Sequence, residues 1–145
     1  MINVLCIIGA RLNSSRLHGK HMLDLAGQPM IARIFQRLEQ IPELDHIVLA
    51  TTADEYNHPL VEWANKESKD VFAFDGNVDD LVGRMDAIVE DIKPDIVLYV
   101  CGDSPLIEPA TVSRMIQGLL THSNADYVCL KPCSEKQPTI HVGFS

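Results

Sequence analysis

The sequence predicts an α/β fold in which helices cover a mostly parallel sheet, and two observations support this prediction. Apolar runs of strand length recur along the 145 residues without polar alternation, which is typical of strands buried on both faces of a parallel sheet. Segments with the apolar periodicity of helices lie between these runs. Because strand and helix alternate without a linker or a repeat, we expect one domain with right-handed crossovers over residues 1–145.

The individual elements follow from the same patterns. The strands are predicted at residues 4–8, 47–50, 71–74, 96–100 and 127–130. Apolar stripes predict three helices, within residues 30–41, 81–92 and 112–120. The apolar stripe in residues 81–92 includes Val82, so we expect Val82 to be buried. A shorter helix is expected to begin near Pro59, since proline is tolerated at a first helical position. A final strand over residues 139–144 has no element after it, so we expect it to form an exposed sheet edge.

The composition excludes several classes of protein. Twenty acidic residues against 12 Lys and Arg give a net charge of -8, so a broad surface for nucleic acid or anionic membrane is not expected. No apolar run approaches the roughly 20 residues of a membrane helix, and the apolar start lacks the flanks of a signal peptide. Cys6, Cys101 and Cys129 lie in or at the end of apolar runs, where we expect them to be buried. We therefore expect a cytoplasmic protein with a small-molecule partner.

A basic loop is predicted to follow the first strand. It places the cations Arg11, Arg16 and Lys20 together with the hydroxyls of Ser14 and Ser15, in a protein that is acidic as a whole. Arginine offers a fork that matches phosphate oxygens, lysine supplies a point charge, and glycine lets backbone N–H groups approach an anion. The glycine spacing fits neither a Walker A sequence nor a dinucleotide-binding fingerprint. The loop therefore indicates an anion site, with a solvated basic loop as the alternative.

A second loop, at residues 101–106, carries a carboxylate directly after the fourth strand. Asp103 lies there between Gly102 and a Ser-Pro turn, where an oxygen ligand could hold a hard cation such as Mg²⁺. Capping of the turn by Asp103 is the alternative. Because ligands of open parallel sheets bind at the carboxyl ends of the strands, the two loops are expected at one sheet edge. An anion cradle and a metal carboxylate together are the parts of a nucleoside triphosphate site.

Five segments match, in order, the signature of a known family. The first two read A-R-x-x-S-S-R-L-x-G-K at residues 10–20 and L-A-G-Q-P-M at residues 25–30. The others read I-V-L-A-T-T-A-D, D-D-L-V-G-R and G-D-x-P-L-I, at residues 47–54, 79–84 and 102–107. From residue 2 to about residue 130, the chain resembles the cytidylyltransferases that activate acidic sugars as CMP-sugars. It looks most similar to their spore coat polysaccharide F-like branch, which carries a comparable acidic-apolar-apolar-x-Arg segment.

The resemblance implies a three-layer α/β/α Rossmann-like nucleotidyltransferase fold of the nucleotide-diphosphosugar transferase type. It also implies transfer of CMP from CTP to an acidic sugar, with release of pyrophosphate, in the synthesis of a polysaccharide or glycan. Arg11, Arg16, Lys20 and Asp103 would be the catalytic residues, with Asp103 as the Mg²⁺ ligand. The residues implied to contact the nucleotide are Ala10, Arg11, Ser14, Ser15, Arg16, Lys20, Thr51, Thr52, Asp54 and Arg84.

Within this implied site, Thr51, Thr52 and Asp54 would border the nucleoside, and Arg84 would lie near the base or the second substrate. An exposed i,i+4 pair between Asp80 and Arg84 is an equally good interpretation of that arginine. The family closes its metal site with a further acid well downstream, in a half that also binds the sugar acid and builds a homodimer. We therefore expect the nucleotide-binding domain to be truncated at its C-terminal end.

Two other functions fit parts of the sequence. A glycosyltransferase that uses nucleotide sugars would share a similar sheet, but that class usually has a D-x-D metal motif, whereas Asp103 is followed by Ser104 and Pro105. A non-catalytic nucleotide-binding module of a longer protein is the other alternative, and the early end of the chain is its only support. The sequence does not identify the acceptor sugar.

Overall fold

The computed structural model describes residues 1–13, 15–122, 124–129 and 141–144. Within these residues, the strands are β1 (Val4–Gly9), β2 (His46–Thr52), β3 (Asp70–Phe74), β4 (Ile96–Cys101), β5 (Tyr127–Cys129) and β6 (His141–Phe144). The helices are α1 (Met30–Leu38), α2 (His58–Lys66), α3 (Leu81–Ile92) and α4 (Pro109–Thr121). Short 3-10 turns precede α1 and α2, at Lys20–Met22 and Glu55–Asn57. The predicted strands and helices are therefore confirmed in these parts of the chain, and residue 130 lies outside the described residues.

The six described strands form one sheet in the order β3-β2-β1-β4-β6-β5. Neighbouring strands among β1 to β4 are parallel, whereas β6 pairs antiparallel with both β4 and β5. The mostly parallel sheet is thus confirmed. Since β1 lies between β2 and β4, the loops that leave β1 and β4 begin side by side at the same edge of the sheet.

The final strand is not the sheet edge that the sequence led us to expect. β6 forms hydrogen-bonded ladders with β4 on one side and with β5 on the other. β6 therefore occupies an interior position in the sheet, where its backbone forms hydrogen bonds with both neighbouring strands. Among the described strands, β3 and the short β5 are the edges. Residues 139 and 140 of the predicted strand lie outside the described residues.

Helices cover both faces of the sheet. Successive side chains of β1 point to opposite faces, and so they join different clusters. Leu5 and Ile7 pack with Ile88 of α3 on one face. Cys6 and Ile8 lie on the other face, in a cluster with residues of the remaining helices, among them Ile34, Leu60 and Ile116. The three-layer α/β/α arrangement is therefore confirmed.

Three apolar side chains are more exposed than predicted. Val82 is 77% exposed, because only the later turns of α3, from Met85 onwards, pack on the sheet. Cys101 is exposed because it ends β4, at the edge where the loops leave the sheet, and Cys129 is exposed at the end of the edge strand β5. Cys6 is buried as predicted.

Helix ends are fixed by side chains next to the predicted functional loops. The carboxylate of Asp80 accepts a hydrogen bond of 2.8 Å from the Gly83 amide at the start of α3. Glu108 accepts bonds from the first amides of α4 in the same way. Such caps satisfy amides that have no partner within the helix. No helix in the described part of the chain is long and apolar enough to cross a membrane.

Candidate functional site

A cleft of about 360 Å³ opens where β1 and β4 end. It lies between the basic loop that follows β1 and the loop that follows β4, so the structure brings the two predicted loops together. The side chains that line it include Arg11, Ser15, Arg16, Lys20, His21, Cys101 and Asp103. Five of these seven were predicted as site residues from the sequence. Ser14 lies outside the described residues.

Lys20 and Asp103 contact each other in this cleft. The Nζ atom of Lys20 lies 2.9 Å from Oδ2 of Asp103, and their side chains are 22% and 48% exposed. The hydrogen bond from Lys20 lowers the pKa of the Asp103 carboxyl. The carboxylate is therefore ionised at neutral pH and faces the cleft beside a cation. In the described structure, this ion pair is the contact of Lys20, at a position where an incoming phosphate would compete with the carboxylate.

His21 lies behind this ion pair and was not singled out from the sequence. Its side chain is buried, with 4% of its surface exposed. Nδ1 lies 2.6 Å from the carbonyl oxygen of Gly102, and since a carbonyl only accepts hydrogen bonds, Nδ1 is the donor. Burial lowers the pKa of His21. The ring thus connects the 3-10 turn after the basic loop to the loop that carries Asp103.

Arg11 and Arg84 converge on one backbone oxygen at the side of the cleft. The carbonyl of Val78 accepts hydrogen bonds of 2.6 Å from Arg11 and 3.0 Å from Arg84. Arg11 also contacts the Asp79 carboxylate, at 3.3 Å. Both arginines line a second, smaller cavity of about 140 Å³ that also contacts Tyr99. Arg11 therefore lies between two cavities.

Arg84 is a buried cation. It is 3% exposed, and its Nε–H has no hydrogen-bond partner among the described residues. Burial and the neighbouring Arg11 lower the pKa of its guanidinium. The exposed pair with Asp80 is therefore not formed, since the carboxylate of Asp80 caps α3 and Arg84 reaches the Val78 carbonyl. A buried donor without a partner is costly, so an acceptor from a ligand would be favoured at this position.

Thr52 and Asp54 belong to a hydrogen-bond network behind the basic loop. Its centre is Asn57, whose amide Nδ2 donates to Thr52 Oγ1 and to Asp54 Oδ2, both at 2.9 Å. Oδ1 of Asn57 accepts a bond of 2.8 Å from the backbone amide of Leu12 in the basic loop. A hydrogen bond from Thr52 lowers the pKa of Asp54. The network therefore positions the basic loop. Asn57, at its centre, was not predicted from the sequence.

The remaining predicted residues lie close to this network. Thr51 is fully buried, and its hydroxyl has no partner among the described residues. Thr51, Thr52 and Asp54 are absent from the described lining of the two cavities. Ala10 is buried, and its backbone amide donates to the carbonyl of Ala50 in β2.

The cleft offers one carboxylate to a metal ion. Within the described residues there is no cluster of three or more His, Cys, Asp or Glu side chains that could enclose a cation. Mg²⁺ is usually held by one or two carboxylates and completes its shell with waters and substrate phosphates. Asp103, half exposed in a cleft that three cations line, fits a site of this kind, in which the nucleotide supplies further oxygens.

Comparison with protein families gives one match that covers most of the chain. The cytidylyltransferase family matches residues 5–137. The 3-deoxy-manno-octulosonate cytidylyltransferase of Escherichia coli is 33% identical over an alignment of 126 positions, which covers 82% of this chain and 47% of the relative. The spore coat polysaccharide biosynthesis protein SpsF of Bacillus subtilis is 29% identical, over 81% of this chain and 50% of the relative. The chain thus spans about half the length of these curated relatives.

Solved structures share the fold. A cytidylyltransferase from Leptospira borgpetersenii superposes with a TM-score of 0.87 at 23% identity, over 99% of this chain and 61% of the other. A CMP:2-keto-3-deoxy-manno-octonic acid synthetase, solved in complex with CTP, gives a TM-score of 0.77 at 22% identity, over 89% of this chain and 54% of the other. These similarities confirm the predicted nucleotidyltransferase fold.

Proposed function

The chain belongs to the cytidylyltransferase family, and we propose that it transfers CMP from CTP to an acidic sugar and releases pyrophosphate. The observation that carries the proposal is the meeting of the basic loop and Asp103 in one cleft, where Lys20 and Asp103 are 2.9 Å apart. A cationic wall beside an ionised carboxylate matches a triphosphate that arrives with a divalent cation. The relatives' names point to acidic sugars as acceptors.

In the proposed reaction, an acceptor hydroxyl attacks the α-phosphorus of CTP. The new oxygen–phosphorus bond forms as the bond to the β-phosphate oxygen breaks, and pyrophosphate leaves. Arg11, Arg16 and Lys20 would neutralise the negative charge that accumulates on the leaving group, and Ser14 and Ser15 would donate hydrogen bonds to phosphate oxygens. Positioning and preorganised positive charge would provide most of the rate enhancement.

Asp103 would hold Mg²⁺ in this proposal. The ion would add positive charge on phosphate oxygens when it is bound. Asp103 would take part by exchanging its contact with Lys20 for the cation, which would leave the ammonium group of Lys20 available to the phosphates. The exchange suits a half-exposed ion pair, because such pairs contribute little to stability.

The smaller cavity beside Arg84 is the proposed location of the base. The buried Nε–H of Arg84 has no acceptor among the described residues, and the carbonyl oxygen of cytosine could supply one. Thr51, Thr52 and Asp54 would border the nucleoside from the end of β2, with Thr52 and Asp54 acting also through Asn57 on the basic loop. We also propose that the protein forms a homodimer and that it acts in the cytoplasm.

Calorimetric titration with the four nucleoside triphosphates tests nucleotide recognition. In the presence of Mg²⁺, CTP is expected to bind at least about tenfold more tightly than UTP, ATP or GTP, because cytosine alone combines a single ring with a carbonyl at C2 and an amino group at C4. Equal affinity for all four would contradict the assignment. Binding of UDP-glucose in place of CTP would favour a glycosyltransferase.

Pyrophosphate release in the presence of CTP and sugar acids tests the transfer itself. The matched control is the Asp103→Asn variant, which keeps the size of the side chain and removes its charge. CTP binding without pyrophosphate release from any sugar acid would favour a non-catalytic nucleotide-binding module.

A further inference from the structure

His21 is a buried side chain that contacts both loops of the cleft. Its Nδ1 donates to the carbonyl of Gly102, after β4, over 2.6 Å. Its own backbone directly follows Lys20, the last residue of the basic loop. Because only 4% of the side chain is exposed, the bond to Gly102 is shielded from water. The imidazole therefore connects the end of the basic loop to the loop that carries Asp103.

The two loops are in direct backbone contact where Gly102 packs against Gly9 and Ala10. The amide of Gly102 donates to the carbonyl of Gly9 over 2.8 Å. A Cβ atom at residue 102 would lie 2.7 Å from that carbonyl oxygen, 2.8 Å from Cβ of Ala10 and 3.1 Å from Cε1 of His21. Only glycine fits such an approach without displacement of its neighbours. The contact at Gly102 sets the shortest separation of the loops, and the His21 ring opposes their separation.

The ion pair at the mouth of the cleft is open to competition when ligands bind. Lys20 and Asp103 are partly exposed, and both have a role toward the proposed substrates, Lys20 toward phosphate and Asp103 toward the metal ion. The bond from His21 to Gly102 involves a buried ring and a backbone carbonyl, neither of which is consumed by ligand binding. Together with the backbone bond from Gly102 to Gly9, it therefore persists when the cleft is filled.

We propose that His21 is a positioning residue for nucleotidyl transfer, which holds the Asp103 loop at a fixed distance from the basic loop. The inference rests on the proposed function, since it assigns to His21 the placement of the metal carboxylate relative to the triphosphate. Residues that orient a metal ligand through hydrogen bonds typically affect metal affinity 10- to 100-fold when they are replaced. His21 acts in this way through the backbone of the residue that precedes Asp103.

Two variants of His21 separate its hydrogen bond from its volume. His21→Leu fills the buried space without a donor. His21→Asn keeps a donor in the place of Nδ1. Amide hydrogen exchange of the ligand-free chain is the first measurement, because it needs no nucleotide. In His21→Leu, exchange at Gly102 is expected to accelerate by about tenfold while amides in the centre of β1 keep their protection, and His21→Asn is expected to restore the slow rate. Unchanged protection of Gly102 in His21→Leu would overturn the proposal.

CTP affinity, measured with Mg²⁺ and with EDTA, is the second measurement. His21→Leu is expected to reduce the gain in affinity that Mg²⁺ provides by about tenfold, to change the metal-free affinity by less than about twofold, and to be rescued by His21→Asn. Equal losses with and without Mg²⁺ would show a general structural role and would reject the positioning role. If the parent chain binds no CTP, the proposed function fails, and hydrogen exchange alone decides whether His21 holds the loops.

Gly102→Ala provides a second test that does not replace His21. Its added Cβ must displace the Gly9 carbonyl or Ala10, so the loops are pushed apart at the contact that His21 maintains. We expect the same selective loss of the Mg²⁺-dependent affinity. Circular dichroism verifies the fold of each variant. Should His21→Leu not fold, Gly102→Ala decides the question, and a normal Mg²⁺-dependent affinity in that variant would contradict the proposal.

Discussion

Lys20 has two possible anionic partners, the carboxylate of Asp103 and the triphosphate of the proposed substrate, and it contacts Asp103 in the described structure. Its bond to Asp103 holds the ammonium group at the mouth of the cleft, where a triphosphate would compete with the carboxylate for it. Arg16 lines the same cleft. At the scale of single residues, the affinity for nucleotide therefore depends on an exchange of partners as well as on the number of cations.

Removal of either cation should weaken the binding of CTP. Lys20→Ala and Arg16→Ala are each expected to cost about 1.5 to 3 kcal/mol of binding free energy, the range for hydrogen bonds to charged groups, with Lys20 toward the lower value because it also gives up Asp103. Titration calorimetry at moderate salt measures the effect. Lys66→Ala, on the exposed surface of α2, is the matched control and should bind CTP like the parent. Parental affinity in both cleft variants would identify the loop as a solvated surface.

The ion pair also predicts how Asp103 titrates. Lys20 lowers the pKa of this carboxyl, so the pair stabilises the fold at neutral pH and that contribution is lost as the pH falls through the depressed pKa. In Lys20→Met, the pKa of Asp103 should rise toward the ordinary value of about 3.9. A ¹³C NMR titration of the carboxyl measures it. The change in stability should stay below about 1 kcal/mol, because the pair is partly exposed. An unchanged pKa of Asp103 would contradict the contact.

Asp103→Asn should separate metal binding from nucleotide binding. Without the negative charge, the Mg²⁺-dependent gain in CTP affinity is expected to disappear. The metal-free affinity should be at least that of the parent, since Lys20 is released from its carboxylate partner. Titrations in Mg²⁺ and in EDTA distinguish the two effects. A normal response to Mg²⁺ would return Asp103 to the turn-capping role.

At the scale of elements, a tight hairpin joins the basic loop to α1. Asp24 and Pro29 form its bridge, and the turn contains Ala26 and Gly27 with φ angles of 56° and 88°. Arg33 of α1 donates to the carbonyls of Leu25 and Ala26 and so fastens the hairpin to the helix. Left-handed backbone suits Gly27, whereas for alanine it costs roughly 1 to 2 kcal/mol.

Ala26→Gly should therefore stabilise the protein. We expect a gain of about 0.5 to 1 kcal/mol in the free energy of unfolding, part of the strain being offset by the greater freedom of glycine in the unfolded chain. Ala32→Gly, in the first turn of α1, is the matched control and should destabilise by about 0.5 to 1 kcal/mol. Urea denaturation measures both. The same sign for the two variants would contradict the left-handed backbone at Ala26.

The elements also show what the sequence can and cannot predict. Strands, helices and the two loops were predictable because apolar periodicity and the position of charge after a strand are local properties. His21 and Asn57 were missed because their roles depend on partners that lie 81 and 45 residues away along the chain. The place of β6 was missed for a similar reason, since its two neighbours are chosen by the sheet and not by residues 141–144 themselves.

At the scale of the whole molecule, the two faces of the sheet are covered by different numbers of helices. The cluster on one face draws on three helices, whereas the cluster on the other face has α3 as its helix among the described residues. Within α3, Ile88 is 2% exposed and Val82 is 77% exposed, although both belong to one apolar stripe. The packing of α3 on its face of the sheet therefore depends on few side chains.

Two substitutions in α3 test this dependence. Ile88→Ala is expected to lower the free energy of unfolding by about 2 to 5 kcal/mol, because it leaves a cavity between α3 and the sheet. Val82→Ala serves as its control and should change stability by less than about 0.5 kcal/mol. Chemical denaturation with an unchanged m-value measures both. Comparable losses in the two variants would show that the first turn of α3 packs as closely as its centre.

The interior place of β6 has a consequence for the order in which the protein can be assembled during translation. Every described residue of the two cleft loops lies before residue 107, whereas the second neighbour of β4 is made from residues 141–144. If β4 pairs with β1 as soon as both are free to fold, it would keep its other side open to any strand nearby until residues 141–144 are made. A nascent chain would therefore possess its cleft before it can close its sheet, and a chaperone that shields β4 would protect it during that interval.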